Sequence, residues 1–210
     1  ELAKEDTGAL LRGLPNLLRH VSNMKEVYGL PCVVAVNRFP TDTEAELKLI
    51  ETKCKELGVN VALSEVWGEG GVELAKEVIR LCEQPNDFTF SYELNCSIKE
   101  KIEAIAKKIY HADGVNFTAN AEKQIKTLTE LGYDHMPICM AKTQYSFTDD
   151  QTKLGAPRDF TITVRNVKVS AGAGFLVALT GEIMTMPGLP KVPAAERIDV
   201  DETGKISGLF

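Results

Sequence analysis

Apolar residues in the first part of the chain recur at two spacings, and each spacing predicts a different element. Between residues 10 and 21 they recur every three or four positions, which predicts a helix that ends at the Gly-Leu-Pro of residues 29–31. Residues 32–36 form a continuous, valine-rich run, typical of a strand buried on both faces of a parallel sheet. A helix follows over residues 43–58, because this stretch opens with a Thr-x-x-Glu capping pattern and closes on a glycine.

A second short apolar segment, residues 59–63, precedes a glycine-rich loop and a helix through Leu74, Val78 and Cys82. Strand, helix, strand and helix in this order predict parallel strands joined by a crossover helix. We therefore predict an α/β region with a parallel-sheet βαβ unit over residues 1–85.

The pattern changes after the polar stretch 84–87, and residues 86–210 are predicted to form a smaller α+β domain. A capping pattern at Ser97 and Glu100 opens one helix, and a second helix is predicted over residues 121–131. Three strands are predicted after these helices: residues 137–142 (PICMAK), 159–170 (DFTITVRNVKVS) and 174–183 (GFLVALTGEI).

Composition narrows the class of protein and its partners. The 210 residues carry a formal net charge of −6, with 44% hydrophobic and 26% charged residues, which predicts a soluble domain and argues against nucleic acid as a partner. No apolar run reaches the roughly 18 residues that span a bilayer, so we predict no membrane association. Five cysteines without C-x-x-C spacing predict buried free thiols and a cytoplasmic location: Cys32, Cys54, Cys82, Cys96 and Cys139.

Aromatic residues follow both predicted strands of the α/β region, at the place where open α/β sheets bind ligands. Asn37–Asp42 follows the first strand and Ser64–Gly71 the second, so Phe39 and Trp67, the single tryptophan, are expected on one rim. A flat ligand between the two rings would gain both stacking and burial. The alternative is that these aromatics only cap the core, and that Asn37 serves a turn.

The loop NRFPTD, residues 37–42, also permits a second interpretation. It is similar to the base-reading Asn-Lys-x-Asp loop of P-loop GTPases, although Arg38 replaces the lysine and the spacing to Asp42 is longer. A GTPase also needs a G-x-x-x-x-G-K-[ST] phosphate loop, and the sequence contains none. A GTPase-like regulatory domain is therefore the weaker hypothesis.

Four stretches together are similar to one enzyme family: VVAVNRFPTDTEAEL (33–47), SEVW with EGG (64–71), PICMAKTQYSFTDD (137–150) and VRNVKVSAGAGFLVALTGEIMTMPGLPKVPAAERIDVDETGKISGLF (164–210). The chain resembles formate–tetrahydrofolate ligase, also called 10-formyltetrahydrofolate synthetase, over essentially its whole length. It is similar to the C-terminal portion of that enzyme, and the long last block makes the resemblance specific.

The resemblance implies a three-domain, P-loop-containing α/β ligase of one-carbon metabolism. Such a ligase makes 10-formyltetrahydrofolate from formate, Mg-ATP and tetrahydrofolate through formyl phosphate, with a monovalent cation as a further cofactor. It also implies a pterin slot between Phe39 and Trp67, with Pro40 and Leu63 as apolar wall and Asn37 toward the nucleotide. Bacterial members of the family are often homotetramers, so a homo-oligomer is implied.

The resemblance also implies that one motif of the family, its phosphate loop, is absent from these residues. The family's phosphate loop would lie upstream of Glu1, so we expect a folate-side portion that is inactive alone and needs the N-terminal part of the enzyme. A noncatalytic folate-binding or assembly module is the alternative for the isolated portion. The loop WGEGG, residues 67–71, is shorter than in other members of the family, so no role is transferred to Glu69 or Gly70.

The remaining motifs predict structure rather than chemistry. The glycine-rich stretch Ser170–Phe175 lies between two strand-like runs, which predicts a hairpin and not a phosphate cradle. The acidic run Asp199–Glu202 lacks the spacing of a calcium loop and is predicted to be a solvated turn. His20, His111 and His135 have no neighbours at ligand spacing, so we predict surface or turn positions and assign no metal ligand and no catalytic residue.

Overall fold

The computed structural model describes residues 4–64, 68, 70–181 and 191–208. Its first region contains these elements in chain order: α1 (Thr7–Ser22), β1 (Val33–Asn37), α2 (Glu44–Glu56), β2 (Asn60–Ser64) and α3 (Val72–Cys82). A π-helical turn, Asn23–Val27, extends α1 before the chain enters β1. Within the described ranges, no helix is both long enough and apolar enough to cross a membrane.

The two strands of the first region pair in parallel and in register, with Val34 opposite Val61. Helices α1 and α2 cover one face of this pair, and a buried apolar cluster lies between them and the strands: Val21, Val34, Cys54 and Val59. Along β1, however, Val34 is buried while Ala35 is exposed. The prediction of a strand buried on both faces is therefore wrong for β1, because α3 packs mainly against β2 and leaves Ala35 uncovered.

The second region surrounds a four-stranded mixed sheet. Its elements in chain order are α4 (Ile98–Lys108), β3 (Gly114–Phe117), α5 (Ala119–Glu130), β4 (Ile138–Ala141), β5 (Thr161–Ser170) and β6 (Phe175–Thr180). The strand order is β3-β5-β6-β4, in which the central pair is antiparallel and each outer strand is parallel to its neighbour. Helices α4 and α5 pack on this sheet around a core that includes Ile98, Ile102, Ile125, Val164 and Leu176.

Local sequence signals account for most of the element ends. Both predicted capping boxes are confirmed, at Thr43 with Glu46 and at Ser97 with Glu100. The predicted hairpin of Ser170–Phe175 is also confirmed, because Ser170 pairs with Phe175 across an antiparallel turn. Gly174 in this turn has a φ of 75°, a backbone conformation that glycine adopts without the steric cost a side chain brings.

A short hairpin lies near the end of the described chain. After a 3₁₀ turn at Ala194–Arg197, β7 (Asp199–Val200) pairs with β8 (Ile206–Ser207) in antiparallel fashion. The Asp201 carboxylate accepts hydrogen bonds from the Thr203 hydroxyl and backbone amide and from the Lys205 amide, and these bonds hold its pKa below the usual range. The run is exposed, but Asp199 and Val200 form β7, so the prediction of a solvated turn is confirmed only for Asp201 and Glu202. In that turn the Asp201 carboxylate bonds its own backbone.

The cysteines are free, but they are less buried than the sequence predicts. Cys54 is buried, and Cys32 and Cys96 are half-buried. Cys82 and Cys139 are exposed, so the prediction of buried thiols is wrong for these two. Cys82 ends α3, of which no residue is buried, and Cys139 points away from the core side of β4, on which Ile138 lies.

Alkylation is expected to separate these thiols by rate. Burial raises the pKa of Cys54, and its sulfur reaches reagent only through local opening, so we expect it to react at least roughly a hundredfold more slowly than Cys82 and Cys139. Mass spectrometry of peptides after timed iodoacetamide treatment measures the rates, with denatured protein as the reference. Equal rates for Cys54 and Cys82 in the folded protein would contradict this burial pattern.

Candidate functional site

The carboxyl ends of β1 and β2 meet at one edge of the first region. Because the strands are parallel and in register, their last residues, Asn37 and Ser64, lie opposite each other. The contact continues one residue further, since the Arg38 amide donates a hydrogen bond of 3.1 Å to the Ser64 carbonyl. The loops that leave both strands therefore start side by side, at the edge where open α/β sheets bind ligands. We call this edge the rim.

The loop after β1 is a closed turn. The Phe39 amide donates to the Asp42 carboxylate at 2.8 Å, and the Asp42 amide donates back to the Phe39 carbonyl at 3.0 Å. Arg38 forms an ion pair of 2.7 Å with Glu44, the first residue of α2. The two hydrogen bonds close the turn, and the ion pair connects it to α2. Together they fix the backbone position of Phe39.

Apolar side chains are exposed on the rim. Phe39 is 56% exposed and Leu63, one residue before the end of β2, is 44% exposed. Pro40 is exposed beside Phe39. Each isolated apolar side chain is ordinary on a protein surface, but here three of them lie at the end of a parallel strand pair, where a ligand could cover them.

A groove of about 460 Å³ runs between α2 and β2. Its lining combines apolar and charged side chains: Glu44, Leu47, Lys48, Glu51, Val61 and Leu63. Leu63 therefore belongs both to the rim and to this groove, so a molecule on the rim can extend over the flank of α2. Lys48 and Glu51 form an exposed ion pair of 3.2 Å beside it, which water screens and which contributes little to stability.

The start of α2 is tied to the start of α1. Glu46 accepts a hydrogen bond from the Thr43 amide, as in a capping box, and another of 3.0 Å from the Asp6 amide. These backbone bonds, that of Asp6 first, hold the pKa of Glu46 below its usual range. The Glu46 carboxylate is therefore engaged by two backbone amides and is not available as a general base.

The structure places only some of the predicted site residues together. Asn37, Phe39, Pro40 and Leu63 lie on the rim as described, and Asn37 is exposed. Trp67 lies outside the residues that the structure describes, so its position opposite Phe39 stays a prediction. Among the residues that are described, there is no group of three or more histidine, cysteine, aspartate or glutamate side chains that could hold a metal ion.

Sequence reasoning missed the residue that shapes the loop. Asp42 was considered only as a base-reading residue, whereas one of its carboxylate oxygens binds the Phe39 amide of its own turn. The available signal was the aspartate three residues after the start of the turn, because aspartate side chains often bond backbone amides nearby. This use of Asp42 gives the GTPase interpretation no support.

The comparison with known families covers the whole chain. The sequence model of the formate–tetrahydrofolate ligase family matches residues 1–210. The match therefore includes the rim, the groove beside α2 and the four-stranded sheet of the second region. It agrees with the resemblance inferred from the four sequence stretches.

Proposed function

The chain belongs to the formate–tetrahydrofolate ligase family, and on that premise we propose that its rim binds the pterin of tetrahydrofolate. Phe39 would form one wall of the slot and Trp67 the other. Pro40 and Leu63 would complete the apolar surround, and Asn37 would lie toward the nucleotide. The family supports a ligase of formate and folate metabolism, and the assignment of the pterin to these side chains is our proposal.

One observation carries this proposal. The rim presents an exposed phenylalanine on a turn that is closed by two hydrogen bonds between Phe39 and Asp42. A turn whose backbone is fixed before binding loses little backbone entropy when a ligand stacks on its phenylalanine. Stacking and burial of a flat heterocycle then add aromatic pairing to the gain from removing apolar area from water.

The proposed chemistry assigns this chain a positioning role. In the reaction that we propose, ATP phosphorylates formate to formyl phosphate, and N10 of tetrahydrofolate attacks the formyl carbon. The tetrahedral intermediate then collapses with phosphate as the leaving group. A pterin held by its two faces cannot tilt freely, so the slot restricts the orientations that N10 can take toward the formyl carbon.

We propose further features of the family for this protein on the resemblance alone. They are a three-domain, P-loop-containing architecture, use of Mg-ATP and a monovalent cation, action with the N-terminal part of the enzyme, a cytoplasmic location and a homotetrameric state. A noncatalytic folate-binding or assembly module is the second candidate function. It is favoured only if the protein binds tetrahydrofolate but transfers no formyl group even when the N-terminal part of the enzyme is present, which an assay of 10-formyltetrahydrofolate formation decides.

Tryptophan fluorescence tests the pterin slot. Trp67 is the only tryptophan, so its emission reports on one site. We expect tetrahydrofolate to quench this emission with saturation, because a stacked pterin lies in direct contact with the indole. Free tryptophan amide at the same absorbance corrects for light absorbed by the folate, and GTP serves as the ligand of the competing hypothesis. Quenching by GTP but not by tetrahydrofolate would reject the proposal.

A further inference from the structure

The segment between α3 and α4 is bonded to the first region at its beginning. The Asp87 amide donates a hydrogen bond of 3.1 Å to the Gly29 carbonyl. Two residues later, the Thr89 amide donates one of 3.1 Å to the Tyr28 carbonyl. Both acceptors directly follow the π-helical turn that extends α1, so these bonds attach the segment to the end of that helix. We call residues 87–92 the clasp.

Aromatic side chains add to this first attachment. The rings of Tyr28 and Phe88 are stacked, with an angle of 12° between their planes and 6.5 Å between their centroids. The Phe90 ring packs edge-on against Phe88, with 4.9 Å between the centroids. Offset-stacked and edge-on pairs are the favourable arrangements of aromatic rings. The clasp is therefore held to the first region by side chains as well as by backbone bonds.

The other end of the clasp is bonded to the second region. The carbonyl of Ser91, a buried residue, accepts a hydrogen bond of 2.7 Å from the ammonium group of Lys108, the last residue of α4. The Tyr92 hydroxyl accepts one of 2.9 Å from the amide of Ile138, the first residue of β4. The bonding partners of the clasp therefore change from the first region to the second within six residues.

A direct bond between the two regions is made at the same end of α4. Asn23 opens the π-helical turn and is buried, and its side-chain amide donates a hydrogen bond of 2.8 Å to the Ile109 carbonyl. Ile109 is the C-cap of α4 and follows Lys108. The last carbonyls of a helix have no partner within it, so Asn23 satisfies one of these groups. The end of α4 is thus bonded both by the clasp and by the extension of α1.

Gly29 is the residue on which the clasp depends. Its φ is 65°, and a Cβ atom at this position would overlap the carbonyl oxygen of Asp87. The overlapping atom belongs to the backbone, so the clasp itself must move before any side chain fits at residue 29. Gly132, which follows α5, has a φ of 78°, but a Cβ atom there would meet nothing within 4 Å. The two glycines therefore differ in the contact with the clasp rather than in backbone conformation.

We propose that the clasp is a coupling device that makes the two regions one cooperative unit with one relative orientation. Two domains joined by an unbonded polar connection move and unfold independently by default. Here either region can separate from the other only after the bonds of the clasp to one of them break. The clasp is separate from the rim, so it couples the regions whether or not the rim binds a pterin.

Hydrogen exchange of single amides, measured by NMR at rising urea concentrations, tests this coupling. In the wild-type protein, the amides of α2 and of α5 are expected to become exposed at the same urea concentration, because the two regions open together. Gly29→Ala is expected to separate these two transitions, since the clasp must move away from residue 29. It should also speed exchange of the Asp87 and Thr89 amides by about tenfold or more, because both lose their acceptors.

Gly132→Ala is the matched control, because it introduces the same left-handed backbone strain without a contact to the clasp. It should leave the transitions of α2 and α5 coincident, even where it lowers the stability of the protein. The proposal is overturned if these transitions differ in the wild type. It is also overturned if Gly29→Ala keeps them together as Gly132→Ala does.

Tyr92→Phe tests the attachment to the second region with a milder change, which introduces no new atom. Loss of the hydroxyl leaves the Ile138 amide without its acceptor, so this amide is expected to exchange about tenfold faster. Tyr145→Phe is the control, because Tyr145 is exposed and outside the clasp, and it should leave Ile138 unchanged. Equal exchange of the Ile138 amide in Tyr92→Phe and the wild type would overturn the proposal, even where Gly29→Ala does not fold.

Discussion

Replacing Lys101 with methionine is expected to lower the free energy of unfolding by about 3 kcal/mol. Lys101 lies in α4 and is fully buried, and its ammonium group donates to the carbonyls of Asp134 and Met136. Methionine retains most of the apolar stem but provides no donor, so the carbonyl of half-buried Met136 loses its partner. Hydrogen bonds from a charged donor contribute about 1.5–3 kcal/mol each, and water near exposed Asp134 offsets part of the loss.

Lys99→Met on the same helix is the matched control for Lys101→Met. Lys99 forms a partly exposed ion pair of 2.6 Å with Glu122, and such pairs contribute less than about 1 kcal/mol. Urea unfolding of both variants measures the difference between their free energies of unfolding. An effect of Lys101→Met no larger than that of Lys99→Met would mean that the segment after α5 does not depend on the buried ammonium group.

Replacing Phe39 or Trp67 with alanine is expected to weaken tetrahydrofolate binding by about thirtyfold. Loss of one ring removes roughly 0.5–1.5 kcal/mol of aromatic pairing and a share of the buried apolar area, near 2 kcal/mol together. At 1.4 kcal/mol per tenfold change, this total corresponds to that loss of affinity. Isothermal titration calorimetry of tetrahydrofolate with the complete enzyme measures this loss. The affinity of the complete enzyme for ATP should change little, because we propose that the phosphate contacts lie outside the pterin slot.

The double variant and a distant control make this test specific. If both rings contact one ligand, as we propose, the two losses are expected to be non-additive when Phe39→Ala and Trp67→Ala are combined. Phe90→Ala is the control, because Phe90 is 74% exposed and outside the rim. If Trp67 only caps the core, Trp67→Ala would lower the Tm and leave the dissociation constant for tetrahydrofolate within twofold of wild type.

The rim shows what a local sequence pattern can predict. The valine run and the capping signal at Thr43 are contained in a few adjacent residues, and they correctly predicted a strand, a loop and a helix in that order. The role of Asp42 was not predicted, because the same aspartate can face a ligand or bond its own turn, and only the closed loop decides between them.

Burial was the weakest prediction, and the cysteines and β1 show why. Cys54 and Cys82 both lie in apolar helical patterns, yet one is buried and the other is exposed. An apolar stripe predicts which face of a helix can be covered, but coverage requires a partner element at the correct distance. Helix α3 carries such a stripe and buries none of its residues among the described contacts, so its pattern alone could not place Cys82.

By itself, the sequence determined the family, most of the elements in their order and the capped starts of α2 and α4, because each of these is encoded in contiguous residues. It did not predict the short strands β3, β7 and β8. The tertiary structure alone decided the strand order β3-β5-β6-β4, the buried position of Lys101 and the packing of His20 against Phe147. These features join residues that are far apart along the chain. Their positions follow from which apolar faces pack together, and that choice minimises exposed apolar area over the whole molecule rather than within any one segment.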